Sequence, residues 1–374
     1  MKEYSAGKYI LHKDYKPFCP SFLNEEFQWE SPELSMLLQD ANLYLGKLNA
    51  YSDLIPDIEF FIKMYATKEA TTSNRIEGTR TTFDEAIAPV ENISPERRDD
   101  WHEVQNYIEA MNFAIENLDK LPLSMRLLKE SHKILLQGVR GKNKAPGEIR
   151  KTQNWIGGSS LKDAFFIPPE PNMLPDLLSD LEKFFHNETL LMPDLIKAGL
   201  AHYQFETIHP FLDGNGRVGR LLIILYLIQC GYLSKPVLYI SDFFEKHRSS
   251  YYDALSIVKE SNNIEQWLKF FLNGVVETAK HSIKTFDEII ELKKQTEAKL
   301  QTAKRKSKNR ELLLHFLYSK PTLMAKDVSE ELKVSIVSAN ELIQAFVEFG
   351  ILQEKTGFKR NRYFVFEDYL KVFR

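Results

Sequence analysis

One segment of the chain combines side chains that could bind phosphate, hold a metal ion and accept a proton. It runs from His209 to Arg220, reads HPFLDGNGRVGR, and is followed at once by the apolar stretch LLIILYLIQ. A glycine-containing turn that enters a helix presents free backbone N–H groups and the positive end of the helix dipole, and both attract anions. The spacing therefore predicts an anion site at the start of an apolar helix.

The charged side chains of this segment suggest which anion binds there. Arg217 and Arg220 are three residues apart, so they share a helix face and can clamp one polyphosphate. Asp213 can supply a carboxylate to Mg²⁺, which usually takes one or two carboxylates together with phosphate oxygens. His209 lies just outside and has a pKa suited to accepting a proton near pH 7. The set predicts a nucleoside triphosphate, a metal ion and a general base.

The segment resembles the HPFx(D/E)GNGRxxR motif of Fic-domain proteins and matches it at every defining position. The resemblance extends over about residues 57–280. It implies an all-helical core and transfer of AMP from ATP to a Tyr, Thr or Ser hydroxyl of a target protein, with release of pyrophosphate. His209 would be the base, and Asp213 would hold Mg²⁺ on the α- and β-phosphates.

The same resemblance assigns the phosphate contacts. Arg217 would meet the β-phosphate and Arg220 the γ-phosphate. A kinase-like relative carries Lys at the position of Gly216, so the glycine favours nucleotidyl transfer. The residues expected to contact ATP through the motif are Gly214, Asn215, Gly216, Arg217, Val218, Gly219 and Arg220.

A second, shorter pattern resembles the inhibitory motif (S/T)xxxE(G/N) of the same family. It comprises Ser73, Glu77 and Gly78. By this resemblance Glu77 would pair with Arg220 and take the place of the γ-phosphate. The pattern alone is weak, because a helix that ends with Gly78 in the left-handed conformation has the same sequence.

Two further regions are expected to face the nucleotide or the target. Residues 145–168 are rich in glycine and β-formers, which predicts a hairpin; in the family this flap pairs with the target backbone, a form of β-augmentation. Trp155, Ile156 and Gly157 are the candidates for contact with the adenine or the target, with a purely structural hairpin as the alternative. Tyr251 is the expected adenine-side tyrosine, although packing in the core is an alternative for it. His202 has no second metal ligand near it in the sequence and is interpreted as structural.

The elements that position these residues are mainly helices. Apolar residues recur at three- and four-residue spacing, most clearly over 99–118, and Thr82 with Glu85 forms the pattern of a capping box. We therefore predict an all-α fold with a small hairpin flap. The predicted units are an N-terminal extension (1–56), the catalytic core (57–280), a helical connector (281–308) and a C-terminal winged-helix domain (309–374).

The C-terminal unit is expected to have three short helices followed by a small hairpin, the winged-helix order. A generic helical domain is the alternative. DNA binding is not favoured, because the predicted recognition helix carries Glu341 and Glu348 but no basic residue, and the basic side chains lie in the wing. Those side chains are Lys355, Lys359, Arg360 and Arg362. The domain could equally bind protein, and a homodimer is left open.

Composition excludes several classes of protein. The 374 residues are 43% hydrophobic and 27% charged, with a net charge of −3, which is typical of a globular chain and not of collagen or disordered sequence. Cys19 and Cys230 cannot form a disulfide scaffold, which favours a reducing compartment. We see no signal peptide and no apolar run that could span a bilayer, so a cytoplasmic protein without membrane contact is expected.

The sequence thus predicts an Mg²⁺-dependent protein adenylyltransferase that uses ATP and is held inactive by Glu77. Three alternatives remain. The same residues could remove AMP from a modified protein, with Glu77 positioning water. UMP could be the transferred group. The protein could instead be a DNA-binding regulator whose core senses a nucleotide.

Overall fold

The computed structural model describes residues 3–12, 14–25, 31–54, 58–138, 143–301, 307–357 and 362–374. The predicted boundary at 56/57, residues 302–306 of the predicted connector, and Lys359 and Arg360 of the predicted wing lie outside the described residues. Within the described residues the chain is mainly helical, which confirms the all-α prediction.

The described helices and strands follow each other in a simple order. The helices are α1 (Pro32–Leu54), α2 (Ile58–Ile76), α3 (Phe83–Ile87), α4 (Arg98–Asn117), α5 (Met125–Leu135), α6 (Leu174–Phe185), α7 (Asp194–Ile208), α8 (Asn215–Gln229), α9 (Ser241–Lys246), α10 (Arg248–Ser261), α11 (Ile264–Gln301), α12 (Lys308–Ser319), α13 (Ala325–Leu332), α14 (Ile336–Glu348) and α15 (Glu367–Lys371). The strands are β1 (Gly7–Tyr9), β2 (Phe18–Pro20), β3 (Thr322–Leu323), β4 (Gln353–Glu354) and β5 (Phe364–Val365).

The centre of the core is the antiparallel pair α7 and α8. Every residue from Val218 to Leu227 is buried, and apart from Arg220 this stretch presents apolar residues on all sides, because other helices surround it. Helices α2, α4 and α5 pack around this pair. The loop between α7 and α8 therefore emerges from the buried centre of the core, and this loop carries the predicted chemistry.

The capping box at the start of α3 is confirmed. The hydroxyl of Thr82 accepts a bond from the Glu85 backbone N–H, and the Glu85 carboxylate accepts one from the Thr82 N–H at 2.8 Å. This cap fixes where the chain turns after α2. The short helix α9 had no counterpart in the sequence prediction.

Helix α11 differs from the prediction. It is one continuous helix of 38 residues that begins inside the predicted core and runs through most of the predicted connector. The Lys/Glu-rich composition after residue 280 marks the point where the helix becomes more exposed, not a break in it. Helix α1 lies along α11, so the predicted N-terminal extension packs on the core.

The C-terminal unit has three helices, α12 to α14, and a three-stranded antiparallel sheet in the order β3-β5-β4. The three expected helices and the hairpin β4–β5 are present, but strand β3 lies between α12 and α13 and helix α15 follows the sheet, and neither was expected. The assignment as a winged helix stays a prediction. The unit contacts α2 directly: the rings of Phe61 and Tyr318 lie 5.6 Å apart, and those of Tyr65 and Phe373 5.3 Å apart. The C-terminal unit thus packs against the helix that carries the predicted inhibitory motif.

The predicted flap hairpin has less strand pairing than expected. A single antiparallel bridge joins Ile156 to Phe166, and the intervening loop is held by the Asp163 carboxylate, which accepts bonds from Ser159 and Ser160.

Within the described residues, no helix combines the length and apolar character needed to cross a lipid bilayer.

Candidate functional site

His209 ends α7 in a left-handed backbone conformation, with φ 49° and ψ 61°. Its Nδ1 lies 3.3 Å from the Glu206 carbonyl oxygen. A carbonyl oxygen can only accept, so Nδ1 carries the proton and the lone pair of Nε2 is free. Burial lowers the pKa of His209 to about 4. At neutral pH the side chain is therefore an uncharged imidazole with one nitrogen able to accept a proton.

Arg150 holds the backbone around His209, a role that the sequence gave no signal for. The Arg150 side chain is buried; its Nε donates to the His209 carbonyl at 2.9 Å and its Nη2 donates to the Pro169 carbonyl at 2.6 Å. It thereby joins the end of α7 to the segment that follows the flap. The position of the candidate base is thus fixed from the flap side.

The loop from Pro210 to Gly214 is closed by a reciprocal pair of bonds. The Asn215 side chain accepts from the Phe211 N–H at 2.8 Å and donates to the Phe211 carbonyl at 2.9 Å. Gly214 has φ 78°, and the first helical bond of α8 runs from the Val218 N–H to the Gly214 carbonyl. The amides before Val218 therefore have no acceptor within the helix, so the start of α8 has the donors of an anion cradle.

His132 on α5 supports the same loop. Its ring stacks on Phe211 with 3.8 Å between centroids. The Gly147 N–H donates to its Nδ1 at 2.8 Å, so Nε2 carries the proton and donates to the Asp213 carbonyl at 2.9 Å. A histidine within an amphipathic helix gives no sign of this role, and sequence analysis missed it.

Arg217 is buried and has three partners on three elements. Its Nη1 donates to the Asn74 side chain at 3.1 Å and to Glu103 at 3.3 Å, and its Nη2 lies 3.4 Å from Asp213. Asn74 lies inside the predicted inhibitory motif but was given no role, and Glu103 on α4 was not identified. The guanidinium therefore lies at the junction of α2, α4 and the loop of residues 210–214, the phosphate loop.

Arg220 is held by the inhibitory motif. Its Nη2 donates to the Glu77 carboxylate at 2.7 Å and to the Ser73 carbonyl at 2.9 Å, and its Nε donates to the Ser73 hydroxyl at 2.8 Å. Burial alone would raise the pKa of Glu77, but the Arg220 charge holds it below its ordinary value. Gly78 follows α2 with φ 99° and ends the motif. The predicted contact between Glu77 and Arg220 is present in the structure.

The remaining predicted ATP contacts on α8 face the core. The Val218 side chain is buried, and the Gly219 carbonyl accepts a bond from Nδ1 of His202 at 2.8 Å. Nε2 of His202 then accepts from the Tyr251 hydroxyl at 2.9 Å. His202 is thus a structural link between α7, α8 and α10, as the sequence interpretation expected.

The expected adenine-side tyrosine is a core residue in the structure. Tyr251 is 1% exposed and stacks on Phe244 at 4.4 Å, so its ring is enclosed by other aromatic rings. Its neighbour Tyr252 is 39% exposed and is the ring that remains open to a ligand. Sequence spacing could not decide which of the two adjacent tyrosines is open to a ligand.

On the flap, Ile156 is half-buried, whereas Trp155 and Phe165 are exposed.

Asp213 is suited to hold a metal ion. Its side chain is 44% exposed, and one oxygen, Oδ1, accepts from the Gly214 N–H at 2.6 Å and faces Arg217. Mg²⁺ bound with a nucleotide needs only one or two protein carboxylates, since phosphate oxygens and water complete its shell. The residues present therefore fit a magnesium–nucleotide site.

Comparison with known proteins places most of this site in one family. Residues 35–116 match the family model described as Fic/DOC family N-terminal, and residues 122–227 match the model described as Fic/DOC family. The first match begins within the predicted N-terminal extension. It contains the motif of Ser73 and Glu77, and the second contains the phosphate loop.

Curated relatives are similar over part of the chain. A protein adenylyltransferase Fic of Culex quinquefasciatus is 38% identical over 125 residues, which cover 33% of this chain and 22% of that protein. A protein adenylyltransferase Fic of Drosophila grimshawi is 29% identical over 211 residues, covering 54% of this chain and 40% of that protein. The matches thus span less than half the length of these relatives.

Solved structures share the fold. The crystal structure of a Fic family protein from Desulfovibrio desulfuricans aligns with a TM-score of 0.57 at 18% identity, covering 91% of this chain and 97% of that one. A Fic domain containing signaling protein from Bacteroides thetaiotaomicron aligns with a TM-score of 0.51 at 19% identity, covering 68% of this chain and 97% of that one.

Proposed function

Because the chain belongs to the Fic/DOC family, we propose that it is a protein adenylyltransferase held at low activity by its own α2 helix. The observation that carries this proposal is the junction of three groups at one helix start: the neutral imidazole of His209, the amides at the start of α8, and the buried Arg217 and Arg220. A base beside an anion cradle is what transfer of a nucleotidyl group from a nucleoside triphosphate to a hydroxyl requires.

His209 acts as the general base. Its Nε2 takes the proton of the acceptor hydroxyl, whose oxygen then attacks the α-phosphorus of ATP. The bond from that phosphorus to the bridging oxygen breaks, and pyrophosphate leaves. The Glu206 carbonyl keeps Nδ1 protonated, so the reactive nitrogen stays directed outward. Arg150 keeps the histidine backbone in its left-handed conformation.

The phosphates are bound by the start of α8 and its arginines. The amides before Val218 and the guanidinium of Arg217 meet the charge that develops on the leaving pyrophosphate. Asp213 would hold Mg²⁺ at this position, where the metal ion would neutralise phosphate charge. The hydroxyl-bearing segment of the target protein docks along the flap near Ile156, by main-chain bonds.

Inhibition follows from the partners of Arg220. A γ-phosphate needs the guanidinium that Glu77 and Ser73 occupy in this structure. ATP then binds with its terminal phosphate displaced and its α-phosphorus out of line with the acceptor. A charge-assisted bond of this kind is worth about 1.5–3 kcal/mol, so the restraint lowers the productive complex about ten- to a hundredfold.

Labelled nucleotides test the proposed reaction. The full chain is incubated with Mg²⁺, a cell lysate, and ATP labelled on either the α- or the γ-phosphate. Label from the α position alone should appear on protein. Label from the γ position would indicate a kinase and contradict the proposal. Better transfer from α-labelled UTP would make UMP the donor group, and release of AMP from previously modified protein without any transfer would favour the hydrolase alternative.

A further inference from the structure

Glu206 has a carboxyl oxygen that the fold leaves without a partner. The residue is one turn before His209 on α7, and its side chain lies against the backbone of Gly219 on α8. A β-carbon built on Gly219 would be 2.2 Å from its Oε1, so the oxygen fills the space that the glycine leaves. This Oε1 is buried and has no hydrogen-bond donor among the described residues.

A buried carboxyl oxygen without a hydrogen-bond donor costs free energy of folding, so its presence calls for an explanation. Burial raises the pKa of Glu206 to about 7, while the charges of Arg220 and Lys259 act in the opposite direction. The His209 ring, by contrast, uses only the backbone carbonyl of Glu206. The side chain is therefore not needed to orient the base, and a ligand that donates a hydrogen bond would satisfy it.

Lys259 on α10 supplies a hydrogen-bond donor in the neighbourhood of Glu206. Its Nζ donates to the Leu255 carbonyl at 3.0 Å and lies 4.4 Å from the centre of the Phe166 ring at the base of the flap. Burial lowers its pKa to about 8, and the Glu206 charge acts to raise it. The two side chains influence each other but form no ion pair, and the ammonium group keeps N–H donors to spare. An acceptor and a donor therefore lie close to each other between α7, α10 and the flap.

We propose that Glu206 and Lys259 together read the base of the bound nucleotide and select adenine. Adenine presents an amine donor beside the ring-nitrogen acceptor N7, which matches a carboxyl acceptor beside an ammonium donor. Guanine and hypoxanthine carry a carbonyl oxygen in place of that amine, and uracil carries one at its corresponding edge, so each would face Glu206 with an acceptor. The proposal deepens the proposed function and rests on it, because it needs a nucleotide whose phosphates are held at α8.

The test compares ATP with inosine triphosphate, in which a carbonyl oxygen replaces the amine and N1 carries a proton, while N7 is unchanged. Binding to the full chain is measured by calorimetry with Mg²⁺, for the wild type, Glu206→Gln and Lys259→Met. Glu260→Gln is the matched control, because it removes an exposed carboxylate that also acts on Lys259. The wild type and the control should prefer ATP by about ten- to a hundredfold, and Glu206→Gln should reduce this preference to within about threefold.

Each contrary result has a distinct meaning. Equal wild-type affinity for both nucleotides, with transfer from α-labelled ATP intact, would overturn base reading and leave the proposed function standing. An equal loss of affinity for both nucleotides in Glu206→Gln would show that the residue acts through Arg220, and would also overturn it. Failure of the wild type to bind either nucleotide would contradict both proposals. Thermal unfolding of each variant shows whether the fold is kept.

Discussion

The carboxylate of Glu77 lies directly against Gly216. A β-carbon built on Gly216 would be 2.2 Å from Oε1 of Glu77 and 3.0 Å from a terminal nitrogen of Arg220. Any larger residue at this position would displace the carboxylate. Gly216 at the start of α8 and Glu77 directly after α2 thus fit each other, and the carboxylate lies where the start of α8 offers its amides.

Ser73 should contribute to the restraint through Arg220, but less than Glu77. Ser73→Ala removes the hydroxyl that accepts from Arg220 Nε and leaves the Ser73 carbonyl and Glu77 in place. We expect AMP transfer to rise by up to about tenfold, the worth of one such hydrogen bond. Thr71→Ala is the control, since its hydroxyl bonds only within α2 to the Thr67 carbonyl. A larger effect in the control than in Ser73→Ala would contradict this assignment.

His209 should accept its proton over an unusually wide pH range. Because the pKa of His209 is lowered to about 4, the imidazole stays neutral well below its ordinary value. The profile of kcat/KM against pH should therefore be flat from pH 8 to about 5.5 on its acid side and fall below that. His209→Ala should abolish transfer and leave ATP binding largely intact. A half-maximum near pH 6.5, or residual transfer above about 1% of wild type, would remove His209 from this role.

Asp213 and Glu103 are the two carboxylates beside Arg217, and metal titrations should distinguish them. Asp213→Asn is expected to give poor transfer at every Mg²⁺ concentration, because the proposed metal ligand is lost. Glu103→Gln should keep the wild-type dependence on Mg²⁺, since its carboxylate is bound to Arg217. If Glu103→Gln alone changed the Mg²⁺ dependence, the ligand would be Glu103 and our reading of the phosphate loop would be wrong.

Glu69 should make the stability of the fold depend on pH. It is fully buried, its carboxylate accepts from the Ser241 hydroxyl, and burial raises its pKa to about 7. A raised pKa stabilises the folded state below the ordinary value of 4.5, and this contribution is lost as the pH rises through 7. Urea unfolding should therefore show that Glu69→Gln gains on the order of 3 kcal/mol over wild type between pH 5 and pH 8.

The control for Glu69 is Glu59→Gln, a change at an exposed position of the same helix. Its difference from wild type should be constant across that pH range. Buried histidines such as His202 oppose the trend, because their lowered pKa values favour the fold at higher pH. They are the same in both proteins, so the difference isolates Glu69. A pH-independent difference for Glu69→Gln would contradict its burial as a neutral acid.

Much of the candidate site could be predicted from short-range sequence, and the missed residues share one property. The phosphate loop and the inhibitory motif are contiguous, so their spacing carries their geometry. Asn74, Glu103, His132 and Arg150 act through contacts between residues distant in sequence, for example 59 residues between Arg150 and His209. A polar residue on an otherwise ordinary element gives no local signal of such a partner.

The same limit explains the errors in the fold prediction. Tyr251 and Tyr252 are adjacent on one helix, and the packing of α10 against α7, α9 and α11 decides which ring is buried. The division at residue 280 followed composition, but composition reports exposure as much as it reports domain boundaries. Helix α11 stays continuous through that point because nothing in its sequence breaks the backbone pattern.

The most direct measurement of the central claim is the rate of AMP transfer from α-labelled ATP by Glu77→Gly. Arg75→Gly is the matched control, since it places glycine in the last turn of α2 without touching Arg220. Glu77→Gly should transfer about ten- to a hundredfold faster than the wild type, Arg75→Gly should not, and adding Arg220→Ala to Glu77→Gly should cancel most of the gain. An unchanged or slower rate in Glu77→Gly would contradict the claim that the pair of Glu77 and Arg220 holds this enzyme inactive.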